Sequence, residues 1–339
     1  MSLFKLKTLY KCESSKLFFI VPTFLYLCSM KKTNGLLLVL LFLSCFACEN
    51  GDTLTHEELR LQKIALMDTA FSSYVRLDSI EGYDLLEELT AESWMLIDDS
   101  TGFIISQKNA DKKLFIASIT KMMTCLLALE KGNLSDTLSI TEDVCVVRDS
   151  WVRPGDGYRL DDLIYEMMLM SDNNAAYAVA NHIGGDTLAF YDMMNQKAVY
   201  LGMDSTHFAN PNGMPNNDNY SCASDLIKLS RYCMWDSTFA EIVGTDEKDI
   251  PLVDGRHLPC MNTNVLLTTY EGCLGIKTGF TRQAAGCLAS TATRNGTTLY
   301  LVLLNSRSRS SRFRESTILL DYGFNAMKAF HEKGLGIKD

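Results

Sequence analysis

The order of strand and helix patterns along this 339-residue sequence constrains its fold more than any other feature. Apolar runs at 94–98 and 102–106 flank the turn residues Asp98-Asp-Ser-Thr and predict a β-hairpin. Three more strands are predicted at 274–281, 286–292 and 298–304, the last two joined at Arg294-Asn-Gly. Helical patterns lie between these groups at 117–131, 160–170, 175–183, 188–201 and 223–234, and a last helix is predicted at 312–330. This order predicts an α+β fold, in which an antiparallel sheet is built from both chain ends, helices pack on its faces and one subregion is all-helical.

Composition and charge exclude several classes of function. The formal net charge is −9 and no basic stripe offsets it, so we expect no nucleic-acid partner. The five histidines are scattered along the chain, so we expect no metal site, and no motif indicates an organic cofactor. Apolar residues make up 47% of the chain and charged residues 22%, which is typical of globular proteins large enough to bury a core.

Residues 1–48 are typical of a leader. From Met30 the sequence has two lysines, an apolar run at 36–47 and then Cys48, which is the order of regions in a secretory signal. The apolar run is too short to cross a bilayer of about 30 Å as a helix. The ending resembles a bacterial lipobox, so we expect export and a membrane-anchoring lipid on Cys48, with Cys45 as the alternative. An uncleaved anchor would also leave the protein tethered. Met30 is the expected start, and a two-segment anchor is the other interpretation of residues 1–29.

The rest of the chain is predicted to hold a charged stalk with a first helix at 49–90, the catalytic domain at 91–331 and a tail at 332–339. Seven of the eleven cysteines lie beyond the leader, and their odd number and apolar surroundings favour buried thiols over disulfides. Export would still permit a bridge, and Cys260 with Cys273 is the first pair to test.

Ser118-Ile-Thr-Lys121 is the first of three short motifs that carry chemistry. At this spacing on a helix the hydroxyl and the amine lie on one face, a turn apart. A serine hydroxyl becomes a nucleophile when a base removes its proton, and a lysine whose pKa is lowered by burial can be that base. A surface helix with an ordinary lysine would show the same spacing. The apolar residues on both sides of this motif, however, predict a buried helix.

The other two motifs are Ser171-Asp-Asn173, at a break between predicted helices, and Lys277-Thr-Gly279, in a predicted strand. In the second motif a hydroxyl can pass a proton to a leaving group, and an amide can hold a substrate carbonyl; the same residue types are also common helix caps. In the third motif a cation and a hydroxyl can receive a carboxylate, while the glycine lets a substrate backbone approach. The alternative for the third motif is an ordinary strand with a surface lysine.

In this order the three motifs resemble the signature of penicillin-binding proteins and serine β-lactamases. The sequence from about Ser93 to Phe324, which includes Arg153-Pro-Gly-Asp and Asn210-Pro-Asn-Gly, is similar to the D-alanyl-D-alanine carboxypeptidases of peptidase family S11. The resemblance implies a β-lactamase/DD-peptidase-like fold and a serine-type D-Ala-D-Ala carboxypeptidase. It also implies that the substrates are peptidoglycan stem peptides, that β-lactam antibiotics are covalent inhibitors, and that the protein lies on the periplasmic side of the bacterial cell envelope.

The resemblance also implies catalytic roles. Ser118 is the expected nucleophile, Lys121 its base, and Ser171 the relay that gives a proton to the departing D-Ala. Asn173 is expected to hold the substrate amide. The backbone N–H groups of Ser118 and Phe280 are expected to form the oxyanion hole.

A binding site for the terminal carboxylate of the substrate is implied in the same way. Lys277 and Thr278 are its expected ligands, beside Gly279. Arg312 is a further candidate, because its Arg-Phe-Arg-Glu-Ser context matches the family.

Three residues depart from the family pattern. The family usually has a small residue where this chain has Asp172, an aspartate where it has Asn174 and a histidine where it has Asn212, so we expect altered tuning with activity retained. Many relatives continue into a C-terminal domain that ends in an amphipathic membrane helix. An N-terminal lipid is expected to replace that anchor here.

Three other functions are alternatives. A class A β-lactamase needs a glutamate in the loop after the second motif, and this chain has none between Met167 and Ala240. An endopeptidase that cuts D-Ala cross-links would use the same site. An inactive protein that only holds wall peptides would keep the fold and lose a motif, whereas all three motifs are intact.

Overall fold

The computed structural model describes Thr55 and residues 76–333 of the chain. The strands of this part are β1 (Ser93–Asp98), β2 (Ile104–Lys108), β3 (Thr137–Ser139), β4 (Gly157–Arg159), β5 (Glu247–Pro251), β6 (His257–Met261), β7 (Cys273–Thr281), β8 (Ala285–Arg294) and β9 (Thr297–Ser306). Its α-helices are α1 (Lys121–Lys131), α2 (Leu160–Leu169), α3 (Asn173–Gly184), α4 (Thr187–Tyr200), α5 (Ala223–Met234), α6 (Ser237–Gly244), α7 (Leu266–Thr269) and α8 (Ser311–Glu332). Short 3-10 helices lie at Leu77–Ser79, Asp84–Glu88, Ala117–Thr120 and Glu142–Val144.

Five strands form the central antiparallel sheet, in the order β2-β1-β9-β8-β7. The N-terminal hairpin joins the C-terminal strands through β1 and β9, where Trp94 lies opposite Leu303. The turn between β8 and β9 uses Asn295 and Gly296 with φ values of 49° and 79°, the positive values that a tight two-residue hairpin requires. The predicted α+β fold, with one sheet built from strands at both ends of the domain, is therefore confirmed.

Helices cover both faces of this sheet. Helix α8 packs on one face, against alternate residues of β1, β8 and β9. The core residues of this layer include Leu96, Leu288, Leu299, Leu301, Leu303, Leu319, Leu320, Tyr322, Met327 and Phe330. Burying a side chain of this size contributes about 1.5–3 kcal/mol, so this layer holds the C-terminal helix firmly on the sheet. Helices α5 and α6 pack against the sheet from the helical region, where α5 contacts β1 and β9 and α6 contacts β7.

Helix α1 is the centre of the helical region. All residues from Lys121 to Ala128 are buried, and the helix contacts α2 through α6. Asp172, Asp186 and Asp236 cap the N-termini of α3, α4 and α6, where each carboxylate accepts a backbone N–H of the first turn. The buried helix predicted around the first motif is therefore confirmed, with its first turn, Ala117–Thr120, in 3-10 form.

Two strand pairs differ from the sequence prediction, and one predicted helix lies largely outside the described residues. The described part of 49–90 holds two 3-10 turns separated by Gly82 with φ of 91°, so the first helix expected in this segment stays a prediction. The hairpin of β5 and β6 was not predicted, because Pro251 and Pro259 lie inside its strands and proline is typical of turns and edges. The short pair of β3 and β4 was also not predicted.

Several predictions fall outside the described residues. The leader with Cys45 and Cys48, most of the stalk and nearly all of the tail lie there, so those boundaries stay predictions. Within the described ranges, no helix has the length and apolar character needed to cross a membrane.

The seven cysteines beyond the leader are free thiols in this structure. Five are buried, whereas Cys145 and Cys273 are partly exposed. The bridge proposed for testing is not formed, because the Cys260 thiol donates instead to Glu166 Oε2 at 2.6 Å.

Candidate active site

Ser118 and Lys121 lie one turn apart where the chain enters α1. Lys121 Nζ donates hydrogen bonds to Ser118 Oγ at 3.2 Å, to Asn173 Oδ1 at 3.0 Å and to the backbone carbonyl of Asn212 at 2.8 Å. The three donors of one ammonium thus join the first motif, the second motif and the loop at 210–213. The structure places the expected nucleophile and its expected base in direct contact.

Burial dominates the electrostatics of Lys121. The side chain is fully buried, which lowers the pKa of Lys121 to about 7, because the ammonium loses its hydration; the charge of Asp172 opposes this shift. A lysine with this pKa is partly neutral near physiological pH and can accept a proton from a neighbouring hydroxyl.

Two glycines press against the backbone that carries Ser118. A Cβ added at Gly213 would lie 1.8 Å from the carbonyl oxygen of Ala117, and one added at Gly279 would lie 2.8 Å from the carbonyl oxygen of Ile116. Gly213 also has φ of 83°, which other residues rarely adopt. The loop at 210–213 and the third motif therefore meet at the nucleophile.

The second motif combines the two interpretations that the sequence offered. Ser171 has φ of 62° at the break between α2 and α3. Asp172 caps α3, because its Oδ1 accepts a hydrogen bond from Ala175 N at 2.9 Å. Asn173 starts the helix and accepts the Lys121 hydrogen bond. The cap and the site are thus built from neighbouring residues of the same motif.

Lys277 and Thr278 are buried on β7. Among the described residues Lys277 Nζ has no hydrogen-bond partner. Burial lowers the pKa of Lys277 well below its usual value, and the charges of Lys121 and Arg312 add to this effect. Thr278 Oγ1 lies 2.7 Å from Thr263 Oγ1, which fixes its hydroxyl.

Arg312 and Phe280 flank the third motif in different ways. Arg312 is 6% exposed and its Nη1 donates to the carbonyl oxygen of Gly279 at 2.7 Å. Burial lowers the pKa of Arg312 to about 10. Phe280 is 36% exposed, and the Arg309 guanidinium lies 4.5 Å from the centre of its ring. The contact that the structure gives Arg312 is therefore with the backbone of β7.

Sequence reasoning missed three contributors to the site. The backbone carbonyl of Asn212 accepts a hydrogen bond from Lys121 Nζ. Thr263 positions Thr278, and Ser150 binds Asp172. The Asn210-Pro-Asn-Gly turn is a signal for the first of these, whereas no motif indicates the other two. In the part of the chain that the structure describes, no group of three or more His, Cys, Asp or Glu side chains could hold a metal ion.

Comparisons with known proteins show the family of this chain. The family model described as D-alanyl-D-alanine carboxypeptidase, peptidase S11, matches residues 81–308. A D-alanyl-D-alanine carboxypeptidase of Bacillus subtilis is 30% identical over 269 residues, which cover 77% of this chain and 69% of the relative. A D-alanyl-D-alanine endopeptidase of Pseudomonas aeruginosa is 32% identical over 70% of this chain and 78% of its own length. The crystal structure of a Streptomyces DD-transpeptidase matches with a TM-score of 0.67 and 32% identity, covering 70% of this chain and 97% of that one. The chain belongs to the D-alanyl-D-alanine carboxypeptidases of peptidase family S11, which are serine-type hydrolases of the bacterial cell wall.

Proposed function

We propose that this protein removes the terminal D-alanine from D-Ala-D-Ala stem peptides of peptidoglycan through an acyl-enzyme at Ser118. The observation that carries the proposal is the 3.2 Å contact between Lys121 Nζ and Ser118 Oγ, made by a fully buried lysine whose pKa is lowered to about 7. An amine that is neutral in part and lies at hydrogen-bond distance from a hydroxyl is what general-base activation of serine requires.

In the acylation step Lys121 Nζ accepts the proton of Ser118, and Ser118 Oγ bonds to the carbonyl carbon between the two D-alanines. The carbonyl oxygen takes up negative charge, which the N–H groups of Ser118 and Phe280 stabilise. The close approach of Gly279 to Ser118 N supports this role for the adjacent Phe280. When the C–N bond breaks, Ser171 relays a proton to the amine of D-Ala. Water then hydrolyses the ester and releases the shortened peptide.

The terminal carboxylate of the substrate binds Lys277 and Thr278 in this proposal. A buried amine without a partner is unfavourable, and an arriving carboxylate would pair with it and restore its charge. Arg312 would support the same subsite through Gly279, whose carbonyl oxygen it holds at 2.7 Å. Asn173 would hold the substrate amide.

Labelling with a fluorescent penicillin tests the acylation step. The β-lactam carbonyl lies beside a carboxylate, as the scissile carbonyl does in a D-Ala-D-Ala terminus, so we expect one label per chain at Ser118, located by peptide mass spectrometry and released slowly. Ser118→Ala should abolish labelling and Lys277→Ala should weaken it. A folded parent protein that takes no label would contradict the proposal. Rapid turnover of the drug would indicate a β-lactamase.

An endopeptidase that cuts D-Ala cross-links is the second candidate, because a relative with that activity in its name is 32% identical to this chain. Both activities would use the same acyl-enzyme. Mass spectrometry of products from a purified pentapeptide and from a cross-linked peptide dimer distinguishes them. We expect release of D-Ala from the pentapeptide at the higher kcat/KM, and the reverse ratio would favour the endopeptidase.

We also propose that the protein is exported and held at the membrane by a lipid on Cys48, or on Cys45 in the alternative. The support is the signal-like sequence from Met30 and the cysteines that follow its apolar run. The intact mass of membrane-extracted protein tests this, and the expected mature chain begins at a diacylated cysteine. A mass that includes residues 1–29 would contradict it.

A further inference from the structure

The carboxylate of Asp172 joins two separate parts of the chain. Its Oδ1 caps α3 through Ala175 N at 2.9 Å, while its Oδ2 accepts hydrogen bonds from Ser150 Oγ at 2.6 Å and from Trp151 N at 3.2 Å. Asp172 is 7% exposed, so water competes little for these bonds. Each of them is stronger there than it would be at the surface.

The side chain of Asn174, the residue after the second motif, holds the same segment. Asn174 Oδ1 accepts a hydrogen bond from Val147 N at 2.9 Å, and its Nδ2 donates to the carbonyl oxygens of Val147 at 2.9 Å and Val152 at 3.0 Å. The 147–152 segment leads into β4 and has no regular secondary structure of its own. Its position therefore depends on Asp172 of the second motif and on Asn174, the residue after that motif.

Asp172 also acts on the catalytic lysine. The next residue, Asn173, accepts a hydrogen bond from Lys121 Nζ at 3.0 Å, and the charge of Asp172 raises the pKa of Lys121 against the effect of burial. The charge of Lys121 lowers the pKa of Lys277 on β7. Among the described residues, the negative charge of Asp172 also helps to raise the pKa of four other groups, which are Cys145, Tyr158, Glu166 and Cys260.

We propose that Asp172 is a positioning residue for acylation, whose carboxylate fastens the 147–152 segment to the second motif and keeps a negative charge beside the Lys121 amine. The inference rests on the proposed function, since it concerns the same acyl-enzyme step. A small apolar residue at this position would have no oxygen to accept these three hydrogen bonds. The attachment is thus a property of the residue that this chain has at 172.

Three variants separate the attachment from the charge. Asp172→Asn keeps the shape and the helix cap but removes the charge, and it presents an N–H toward Trp151 N–H. Ser150→Ala removes the hydrogen bond to Asp172 Oδ2, together with the bond that Val152 N donates to Ser150 Oγ, and leaves the charge. Asp186→Asn is the matched control, because Asp186 caps α4 through Ala189 N at 2.8 Å in an exposed position.

The rate constant for fluorescent-penicillin acylation, measured from pH 5 to 9, is the first readout. Asp172→Asn should lower the plateau value of the acylation rate constant about tenfold or more, since a small misplacement of catalytic groups slows the reaction strongly. It should also move the acid limb to lower pH, because the Lys121 pKa falls when its negative neighbour is removed. Ser150→Ala should lower the plateau by less and keep the acid limb at the parental pH. Asp186→Asn should match the parent throughout.

Hydrogen exchange of the Val147 and Trp151 amides is the second readout, and the Val152 amide is left out because it donates to Ser150 Oγ directly. Asp172→Asn and Ser150→Ala should both speed exchange there, and Asp186→Asn should not. The inference would be overturned if these amides exchanged in Ser150→Ala at the rate of the parent protein. It would also be overturned if the acid limb of the acylation profile of Asp172→Asn lay at the same pH as in the parent. If Asp172→Asn fails to fold, the exchange and plateau of Ser150→Ala decide alone. A parent protein that takes no label would refute the proposed function instead, and the exchange data would still report whether Asp172 fastens the segment.

Discussion

Replacing Gly279 with alanine tests how closely the third motif must approach the nucleophile. The added Cβ would lie 2.8 Å from the carbonyl oxygen of Ile116, 3.1 Å from Ala117 Cβ and 3.2 Å from Ser118 N. These atoms are backbone atoms or a Cβ, so no flexible side chain can turn away. Since carbon contacts are favourable at about 3.5–4.0 Å, the strand and the Ser118 segment must separate by roughly 0.5–1 Å.

The size of this displacement sets the expected loss. A catalytic arrangement tolerates about 0.5 Å, and a misplacement of about 1 Å can lower a rate roughly 10²-fold. We therefore expect Gly279→Ala to lower the second-order rate constant of penicillin acylation about 10- to 100-fold. Overpacking of this kind costs about 1–3 kcal/mol, which is less than the stability of an ordinary domain, so the fold should survive.

Gly244→Ala is the matched control for this substitution. At the end of α6 the nearest atom to an added Cβ is the carbonyl oxygen of Leu274 at 3.5 Å, and Gly244 does not need a positive φ. Labelling at several penicillin concentrations gives the rate constants, and thermal unfolding checks that both variants are folded. A folded Gly279→Ala protein that acylates at the parental rate would refute the reasoning. An equal loss in Gly244→Ala would assign the effect to general destabilisation.

Three further predictions concern the buried ionisable groups. Lys121→Arg should lower acylation about 10²–10⁴-fold with the fold kept, because a guanidinium stays protonated; circular dichroism checks the fold, and a rate within a few-fold of the parent would identify another base. Because acylation needs neutral Lys121 and its pKa is about 7, the acylation rate constant should rise with pH through about 7 and then level off, and a flat profile from pH 5 to 9 would contradict this. Burial raises the pKa of Glu166 from 4.5 to about 7, so its protonated form stabilises the fold below pH 4.5 and this contribution is lost as pH rises through 7. The free energy of unfolding, measured with denaturant at pH 5 and pH 8, should therefore differ less between the two pH values in Glu166→Gln than in the parent, by up to about 3 kcal/mol. If the variant showed the same difference as the parent, Glu166 would not be the source of the pH dependence.

The elements that could be predicted are those whose burial leaves a periodic pattern. Helix α1 and strand β9 carry long apolar runs, because they are buried on most sides. The β5–β6 hairpin is partly exposed and contains Pro251 and Pro259, so its sequence indicates a loop. Its pairing depends on contacts with the rest of the domain, such as Cys260 with Glu166, which no local pattern contains.

The same distinction applies within the site. Ser118, Lys121 and Asn173 could be placed together because the motifs specify side chains that contact one another. The carbonyl of Asn212 could not, because a backbone oxygen is present at every residue and leaves no signal in the residue type. The bond of Asp172 to Ser150 joins positions 22 residues apart through an irregular segment, so spacing gives no indication of it.

The two lysines of the site differ in their partners, and this difference assigns their chemistry. Lys121 donates to three neutral acceptors, so its amine is held in place without a contact that forces it to stay charged. Lys277 has no partner among the described residues, and its pKa is lowered in part by the charge of Lys121. Because such interactions are mutual, two full positive charges in one buried site oppose each other. A substrate carboxylate bound to Lys277 would stabilise the protonated form of that lysine alone. The negative charge of the carboxylate would also offset the positive charge of Lys277, so the two lysines would repel each other less. The site can thus hold an anionic terminus with one lysine while the other remains free to lose its proton to solvent and accept the proton of Ser118.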